Sequence, residues 1–436
     1  MAKDLLNHGL PKTLIISHNV IGLNGNMGKT LYTYFEQWPK DKLCQLYFHS
    51  EVPTTHLCKQ YFRVTDVDLI RGLRQLRRAG TVLTAQDIDE SRVTTRIDTG
   101  RTAELYRKGR ARKPWIYLAR NSLWKLGLWK SKQLDQWIRE CKPEVIFYAS
   151  GDYTFSYEIA LYLSKKYALP LVISVVDDYY FQRPLDKGLL AWWNTRRFHK
   201  VFEKAMAHAK GAFYVHPIME QMYREKFPLN SAVLYKNAPI CETQEPENKS
   251  VKIAYFGGLG LRRDESLVEI GRVIHKLIPN GSVLLDVYSS ESRSEIVERM
   301  TEENGIRFHG QVSADEVVRL QSESNILVLA ESTAPELTER LRCSLSTKIP
   351  EYLGSNRCML VYGPAEAGSI SYLLDNRVAC VATDSEQLEE KLREILFSAD
   401  ARRRYAEGQM GLALKNHGKE RNHEVLKEMI QAAANG

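Results

Sequence analysis

The sequence predicts an α/β protein built from two Rossmann-like domains that face each other across a cleft. Three observations carry this expectation. A short β-rich run, a Gly-rich turn and a helical stretch occur in that order twice, from Lys12 and again from Val251. The stretch 240–250, ICETQEPENKS, is polar and contains Pro246, and the pattern restarts directly after it. At 436 residues the chain has room for two or three domains of ~150 residues.

Residues 12–17 form an apolar strand that enters the Gly/Asn loop 19–28, and a helix is expected over 29–37. Residues 143–149 form a second strand, followed by Ser-Gly-Asp and a helical pattern over 155–167. Residues 169–176 form a buried strand ending in Asp177-Asp178. After the linker, strand 251–256 leads through Gly257-Gly258 into a helix over about 266–277. Strands at 283–288, 306–309, 325–330 and 358–362 come next at βα spacing. Helices are expected over 388–397, 401–414 and 421–434. The expected division is 1–239, a linker at 240–250, 251–414, and a terminal helix in 415–436. Parallel sheets of this kind open their ligand crevice at the carboxyl ends of the strands.

Composition excludes several classes. Hydrophobic residues are 44% and charged residues 26%, which rules out a disordered or collagen-like chain. No apolar run approaches the ~20 residues of a membrane span. The first residues lack the layout of a signal peptide. Seven scattered cysteines without a C-x-x-C pair read as reduced thiols, so a cytoplasmic setting is expected. The net charge of +8 hides an asymmetry. Residues 1–240 carry 37 Lys/Arg and 22 Asp/Glu, or +15, and the remainder carries 24 and 31, or −7. This is either drift in surface composition or a first domain that meets something anionic.

Three stretches have phosphate-binding chemistry. The loop Gly22-Leu-Asn-Gly25-Asn-Met-Gly28-Lys29-Thr30 approaches a P-loop, but Leu23 stands where the first glycine is required. It reads as a Gly-rich turn before a helix N-terminus, or as a plain tight turn. Gly257-Gly258-Leu-Gly260-Leu-Arg262-Arg263 places two arginines just before a helix, where cations can stabilise a departing diphosphate or simply be solvated. In Ser346-Thr347-Lys348-Ile-Pro-Glu351, Ser346 or Thr347 can cap a helix and Lys348 adds a charge. Glu351, one turn on, can accept two ribose hydroxyls. An ordinary capped helix is the alternative.

With these blocks in place, the sequence resembles group 1 glycosyltransferases of the GT-B fold, of the type that builds bacterial surface polysaccharides. VKIAYFGGLGLRRDESLVEIGRVI is similar to the first βα unit of their nucleotide-binding domain. IRFHGQVSADEVVRLQSESNILVLA is similar to their base-binding strand and the one after it, and STKIPEYLGSNRCMLVYGP to their phosphate- and ribose-binding helix. MGKTLYTYF looks like a degenerate form of their N-terminal double-glycine loop. The resemblance spans the chain and is most specific over 250–365. It implies that Arg263 and Lys348 meet the donor diphosphate, Glu351 the ribose and Val312 the base. Gly28 matches the second glycine of the N-terminal pair, with Met27 in place of the first. Many relatives carry a glutamate eight places before the ribose glutamate; here Cys343 stands there. A second basic residue after the first strand's glycine is here Gly258. The terminal helix can cross back onto the first domain.

The first domain is expected to hold the acceptor. Asp152 and Asp177 each end a strand, where a carboxylate can orient or deprotonate a hydroxyl; capping the next helix is the alternative for Asp152. Asp66-Val-Asp68 and Asp87-Ile-Asp89 match D-x-D, but no nucleotide motif accompanies either, and no metal or cofactor is expected. His18, His49 and His56 show no ligand spacing. Residues 101–132 hold ten Lys/Arg and one acid, Glu104, with Trp115, Tyr117, Trp124 and Trp129 interleaved and Trp137 following. With Trp192-Trp193 near Arg196, Arg197 and Lys200, this composition suits an anionic membrane surface. No recognition motif points to nucleic acid. The expected function is transfer of a sugar from a nucleotide sugar to a glycan or polyprenyl-diphosphate-linked acceptor in polysaccharide biosynthesis, peripheral to the inner face of the cell membrane. A GT-B sugar-nucleotide epimerase, a non-catalytic GT-B partner and a P-loop kinase are the rivals.

Overall fold

The computed structural model describes residues 9–23, 26–88, 114–182 and 188–436. Asp89, positions 24–25 of the Gly loop and 101–113 of the basic stretch lie outside the described residues. The first unit runs in the order β1 (Thr13–Ser17), α1 (Asn26–Phe35), β2 (Leu43–Tyr47), β3 (Gln60–Arg63), α2 (Asp66–Gln75), β4 (Thr81–Leu83), α3 (Pro114–Lys125), α4 (Lys132–Cys141), β5 (Val145–Ala149), α5 (Thr154–Tyr167), β6 (Leu171–Val175), α6 (Leu189–His208), β7 (Gly211–Tyr214), α7 (Pro217–Lys226) and β8 (Ser231–Val233). The strands form one sheet in the order β4-β3-β2-β1-β5-β6-β7-β8. Only the β3–β4 pair is antiparallel. The order reverses between β1 and β5, so the crevice of this sheet lies at their carboxyl ends.

Local chemistry explains the element boundaries. Thr65 and Asp68 make a reciprocal capping box at the start of α2. The Ser131 hydroxyl accepts from the Leu134 N–H to start α4, and Lys142 ends it in the left-handed region. β2 has a fully buried glutamine at its centre. Gln45 donates to the Ser17 hydroxyl at 2.8 Å and accepts from the Ile21 N–H at 3.0 Å, so burying it leaves no polar group unmet.

The second unit contains β9 (Ile253–Phe256), α8 (Arg263–Leu277), β10 (Leu285–Tyr288), α9 (Ser294–Val297), β11 (Ile306–Gly310), α10 (Ala314–Glu323), β12 (Ile326–Ala330), α11 (Pro335–Leu341), α12 (Lys348–Leu353), β13 (Cys358–Tyr362), α13 (Gly368–Asn376), β14 (Cys380–Ala382), α14 (Ser385–Phe397) and α15 (Ala399–His417), and α16 (Lys419–Asn435) ends the chain. Its sheet, β11-β10-β9-β12-β13-β14, is parallel throughout. That is the Rossmann order, with the switch point between β9 and β12. Ile253, Tyr255, Leu267, Ile270, Val328 and Leu360 belong to its continuous core.

Contacts divide the chain into the described residues up to Leu234 together with Asn422–Gly436, and Tyr235–Arg421. The last stretch joins the first unit because Leu426, Met429 and Ile430 bury against Leu10, Phe35 and Trp38. The polar stretch expected as a linker is fixed along the second unit. The Cys241 N–H donates to the Gly354 carbonyl at 2.8 Å, Glu245 pairs with Arg402 at 2.5 Å, and the buried Arg357 guanidinium donates to Thr243. A Cβ on Gly354 would lie 2.1 Å from the Pro239 carbonyl oxygen, so only glycine lets this segment pass.

Candidate functional site

In the second unit the switch point is occupied by an ion pair. β9 ends at Phe256 and the turn from Gly257 to Arg262 leads into α8, whose first residue is Arg263. Leu261 and Arg262 both adopt positive φ, 59° and 57°, a costly conformation for residues with side chains. The turn thereby delivers Arg263 to the carboxyl end of β12, where Glu331 comes after Ala330. Arg263 donates to one oxygen of Glu331 at 2.9 and 2.8 Å. Glu331 is 2% exposed; burial pushes its carboxyl above the ordinary range, while Arg263 and a hydrogen bond from Ser369 pull the other way. Arg262 is spent elsewhere, on Glu265 at 2.8 Å and Glu336 at 2.7 Å.

Ser369 joins this pair to the third motif. Its hydroxyl accepts from the Ser346 N–H at 3.0 Å. The Ser346 hydroxyl in turn faces the Lys348 N–H at 3.4 Å. Ser346, not Thr347, makes the side-chain contact at the start of α12; Thr347 offers its carbonyl to Lys236 at 3.4 Å. Glu351 lies between two ammonium groups, Lys236 at 2.9 Å and Lys348 at 3.4 Å. Lys236 carries no signal in the sequence, because it stands far upstream and before the linker. Gly257 and Gly258 form the floor of the turn. The Tyr255 hydroxyl donates to the Gly258 carbonyl at 2.8 Å, and a Cβ at Gly258 would meet no atom within 4 Å. Val312 is half-buried and lies just past β11, the edge strand two places from β9, ~10 Å away by strand spacing. Cys343 is buried. The structure thus brings together Arg263, Ser346, Lys348 and Glu351 and leaves Val312 apart.

In the first unit the carboxyl edge carries histidines that lack any sequence signal except their place after a strand. His18 comes directly after β1, and its ring lies 5.3 Å from that of His49 and 5.6 Å from that of Tyr153. Burial, then Arg120 and His49, push the His18 imidazole well below its ordinary value, so it stays neutral at neutral pH. Its Nδ1 has no hydrogen-bond partner among the described residues. Arg120 lies over the Tyr153 ring at 4.1 Å and pairs with Asp66 at 3.0 Å. Asp152 accepts from the Tyr117 hydroxyl at 2.6 Å and does not cap α5. The Asp177 carboxylate accepts from the Asp178 N–H at 2.9 Å. Asp178 is the buried one, holding Tyr223 at 2.7 Å and the Phe181 N–H at 2.9 Å.

Other expected residues have structural work. Gly28 lies in the first turn of α1, and a Cβ there would come within 2.5 Å of the Val20 carbonyl; chain packing alone requires glycine. Asp68 and Asp87 are capping side chains, and Asp66 accepts from Arg120 and the Trp124 indole. Trp124, Trp129 and Trp137 are buried, contrary to their expected place on a membrane-facing surface. They pack on Phe155, Tyr162 and Phe62 because indole area drives burial wherever an apolar face is available. Among the described residues, no helix is long and apolar enough to cross a membrane.

No protein-family model and no curated protein matches this sequence. Solved structures do match over nearly the whole chain. The UDP-forming α,α-trehalose-phosphate synthase of Burkholderia xenovorans, in complex with glucose-6-phosphate, is similar at a TM-score of 0.57 and 12% identity, over 96% of this chain and 99% of that one. HepE of Anabaena in complex with UDP is similar at 0.59 and 11%, over 96% and 98%. The trehalose-6-phosphate protein from E. coli bound with UDP-2-fluoro glucose is similar at 0.57 and 10%, over 95% and 99%. At such identities the likeness shows the fold, and that fold is GT-B: an α/β chain with two Rossmann-like, parallel-sheet domains.

Proposed function

We propose that this protein is a glycosyltransferase that takes a sugar from a nucleotide-sugar donor bound at the carboxyl edge of the second sheet. One observation carries the reading: Arg263 at the β9–β12 switch point is tied through Glu331 and Ser369 to the segment that bears Ser346, Lys348 and Glu351. Such an edge is where open parallel sheets bind nucleotides. Two of the three neighbours described above are complexes with UDP or a UDP sugar analogue, which supports the same ligand class here. Arg263 and Lys348 would meet the diphosphate and stabilise the charge that develops as it departs. Glu331 fixes the Arg263 guanidinium in advance, so little reorganisation is needed. Glu351 would exchange its contact with Lys348 for the ribose hydroxyls, while Lys236 keeps the carboxylate oriented. Ser346, Thr347, Gly257 and Gly258 supply backbone around the phosphates, and Val312 would lie toward the base.

The acceptor belongs to the first unit in this reading. His18 is a neutral imidazole whose Nδ1 is buried and without a hydrogen-bond partner among the described residues, and Asp152 and Asp177 lie at the same carboxyl edge. The acceptor is read as a glycan or polyprenyl-diphosphate-linked glycan of polysaccharide biosynthesis, met at an anionic membrane surface on the cytoplasmic side. A second reading, a non-catalytic GT-B partner, is favoured by the buried Cys343 where similar enzymes have a glutamate.

Calorimetric titration with UDP, GDP, TDP, CMP, ADP and ATP tests the donor site. One nucleoside diphosphate should bind, with affinity reduced ~10–100-fold by Arg263→Ala and by Glu351→Ala. Binding of ATP alone, or of none, would refute the reading. Binding without release of nucleoside diphosphate from any nucleotide sugar would support the non-catalytic partner.

A further inference from the structure

The exposed face of α6 carries a surface that neither nucleotide chemistry nor the core explains. Leu189 is 86% exposed, Leu190 54%, Trp192 58% and Trp193 46%. The opposite face of the helix is ordinary core, with Ala191, Phe198, Phe202 and Ala205 buried. Asn194 donates to the Pro114 carbonyl at 2.9 Å, which sets the start of α3 beside α6. Trp115, 59% exposed, is the next residue of α3. Three tryptophans and two leucines thus stand in water on two bonded helices, where single exposed apolar residues would be unremarked.

Beyond the apolar residues, toward the carboxyl end of α6, come the cations. Arg196, Arg197, Lys200 and Lys204 line a groove of about 640 Å³, with Lys165 of α5 and Lys125 of α3 on its other wall. Glu158 is the acid in that lining, and it is engaged by Arg197 at 3.5 Å. Lys125, Lys165, Lys200 and Lys204 form no ion pair with any described residue. Arg196 and Arg197 lie over the rings of Trp192 and Trp193, at 5.5 and 5.7 Å.

We propose that α6, with Trp115 beside it, is a docking surface for an anionic phospholipid membrane: Leu189, Leu190, Trp192 and Trp193 enter the interface while the basic groove takes the lipid headgroup phosphates. The charge of the groove selects this occupant. Indole rings settle at headgroup depth, and Lys and Arg one to three turns along reach the phosphate plane. Each such cation near an anionic surface is worth about a fivefold gain in partition. A neutral protein partner would leave at least four ammonium groups uncompensated. This deepens the membrane part of the proposed function. It does not depend on sugar transfer, because vesicle binding and nucleotide binding are read separately and either can fail alone.

The test is co-sedimentation of the full chain with vesicles of phosphatidylcholine containing about one-third phosphatidylglycerol, against pure phosphatidylcholine and a short single-stranded RNA. The anionic vesicles should bind the protein and shift its tryptophan emission to the blue, and brominated lipid should quench that emission. Trp192→Glu/Trp193→Glu should lower binding about tenfold or more, and Lys200→Glu/Lys204→Glu should do likewise. All four positions face water, so melting should not change. Equal binding by the tryptophan variant would overturn the proposal, since charge elsewhere would then suffice. Preference for the RNA over the vesicles would overturn it in favour of nucleic acid, and no binding to anionic vesicles at low salt would overturn it outright. Nucleoside diphosphate binding is measured on the same samples, so loss of that activity identifies a failure of the donor-site reading instead.

Discussion

His417 makes the second unit sensitive to acid. It is the last residue of α15, fully buried, with Nδ1 2.9 Å from the Lys236 carbonyl and Nε2 2.9 Å from the Tyr372 hydroxyl. The carbonyl can only accept, so Nδ1 carries the hydrogen and Nε2 accepts from Tyr372. Burial pushes the imidazole down to about 4 from its ordinary 6.5, with Arg421 and the Lys236 ammonium adding to the effect and the Lys236 carbonyl opposing it. The unfolded chain therefore binds this proton more readily than the folded one. The stabilisation is complete above pH 6.5 and is lost as pH falls from there toward 4. Its full size is roughly 3 kcal/mol. His417→Asn keeps a donor for the Lys236 carbonyl and removes the titration. It should cost about 1 kcal/mol at neutral pH and flatten the loss between the two pH limits by about 3 kcal/mol. Scanning calorimetry across that range is the assay. All seven tryptophans precede Asn194, so a calorimetric transition silent in tryptophan fluorescence belongs to the second unit. Parallel pH dependences for wild type and variant would refute the reasoning.

The same contacts give other expected outcomes. Arg263→Ala strands a buried carboxylate and should destabilise the second unit by about 2 kcal/mol in calorimetry, whereas Arg263→Ala with Glu331→Gln should recover part of that loss. Gly354→Ala drives a Cβ into the Pro239 carbonyl and should lower stability by more than about 2 kcal/mol, or displace the segment and expose it to protease. Asp178→Asn keeps an acceptor for Tyr223 and the Phe181 N–H and should cost about 1 kcal/mol, while Asp178→Ala should cost about 3, both read from fluorescence-detected urea unfolding.

The elements most legible in the sequence are those with unbroken apolar runs. β1, β5, β6, β9, β12 and β13 all consist of buried residues flanked by turn residues, and the expected limits of each lie within two residues of those observed. β2 is hidden by Gln45, whose partners all come from the stretch 17–21 at the end of β1. The start of α6 is hidden because water-facing Leu189, Leu190, Trp192 and Trp193 are as apolar as the buried side, which blurs the helical period there. At the site, Arg263, Lys348 and Glu351 are legible because turn residues and charges adjoin in sequence. Glu331, Ser369 and Lys236 are not, because only the strand order brings them to those groups. His18 is marked in the sequence only by its position directly after the first strand. The tryptophans of the basic stretch mislead for a physical reason: indole is amphipathic, and composition alone does not say whether its apolar body faces lipid or core.

The return of α16 to the first unit gives synthesis an order. As the chain leaves the ribosome, every described strand of the first sheet is present once Val233 has emerged. The Leu426, Met429 and Ile430 side chains that close its core emerge only after the whole second unit. The second unit can fold as a contiguous segment in the interval, while the part of the first unit's core that α16 covers beside α1 stays exposed. A chain interrupted shortly before Asn422 would then carry a finished second unit attached to a first sheet whose core is incomplete. Such a nascent species exposes apolar surface, and the core of the first unit closes only when α16 has been made.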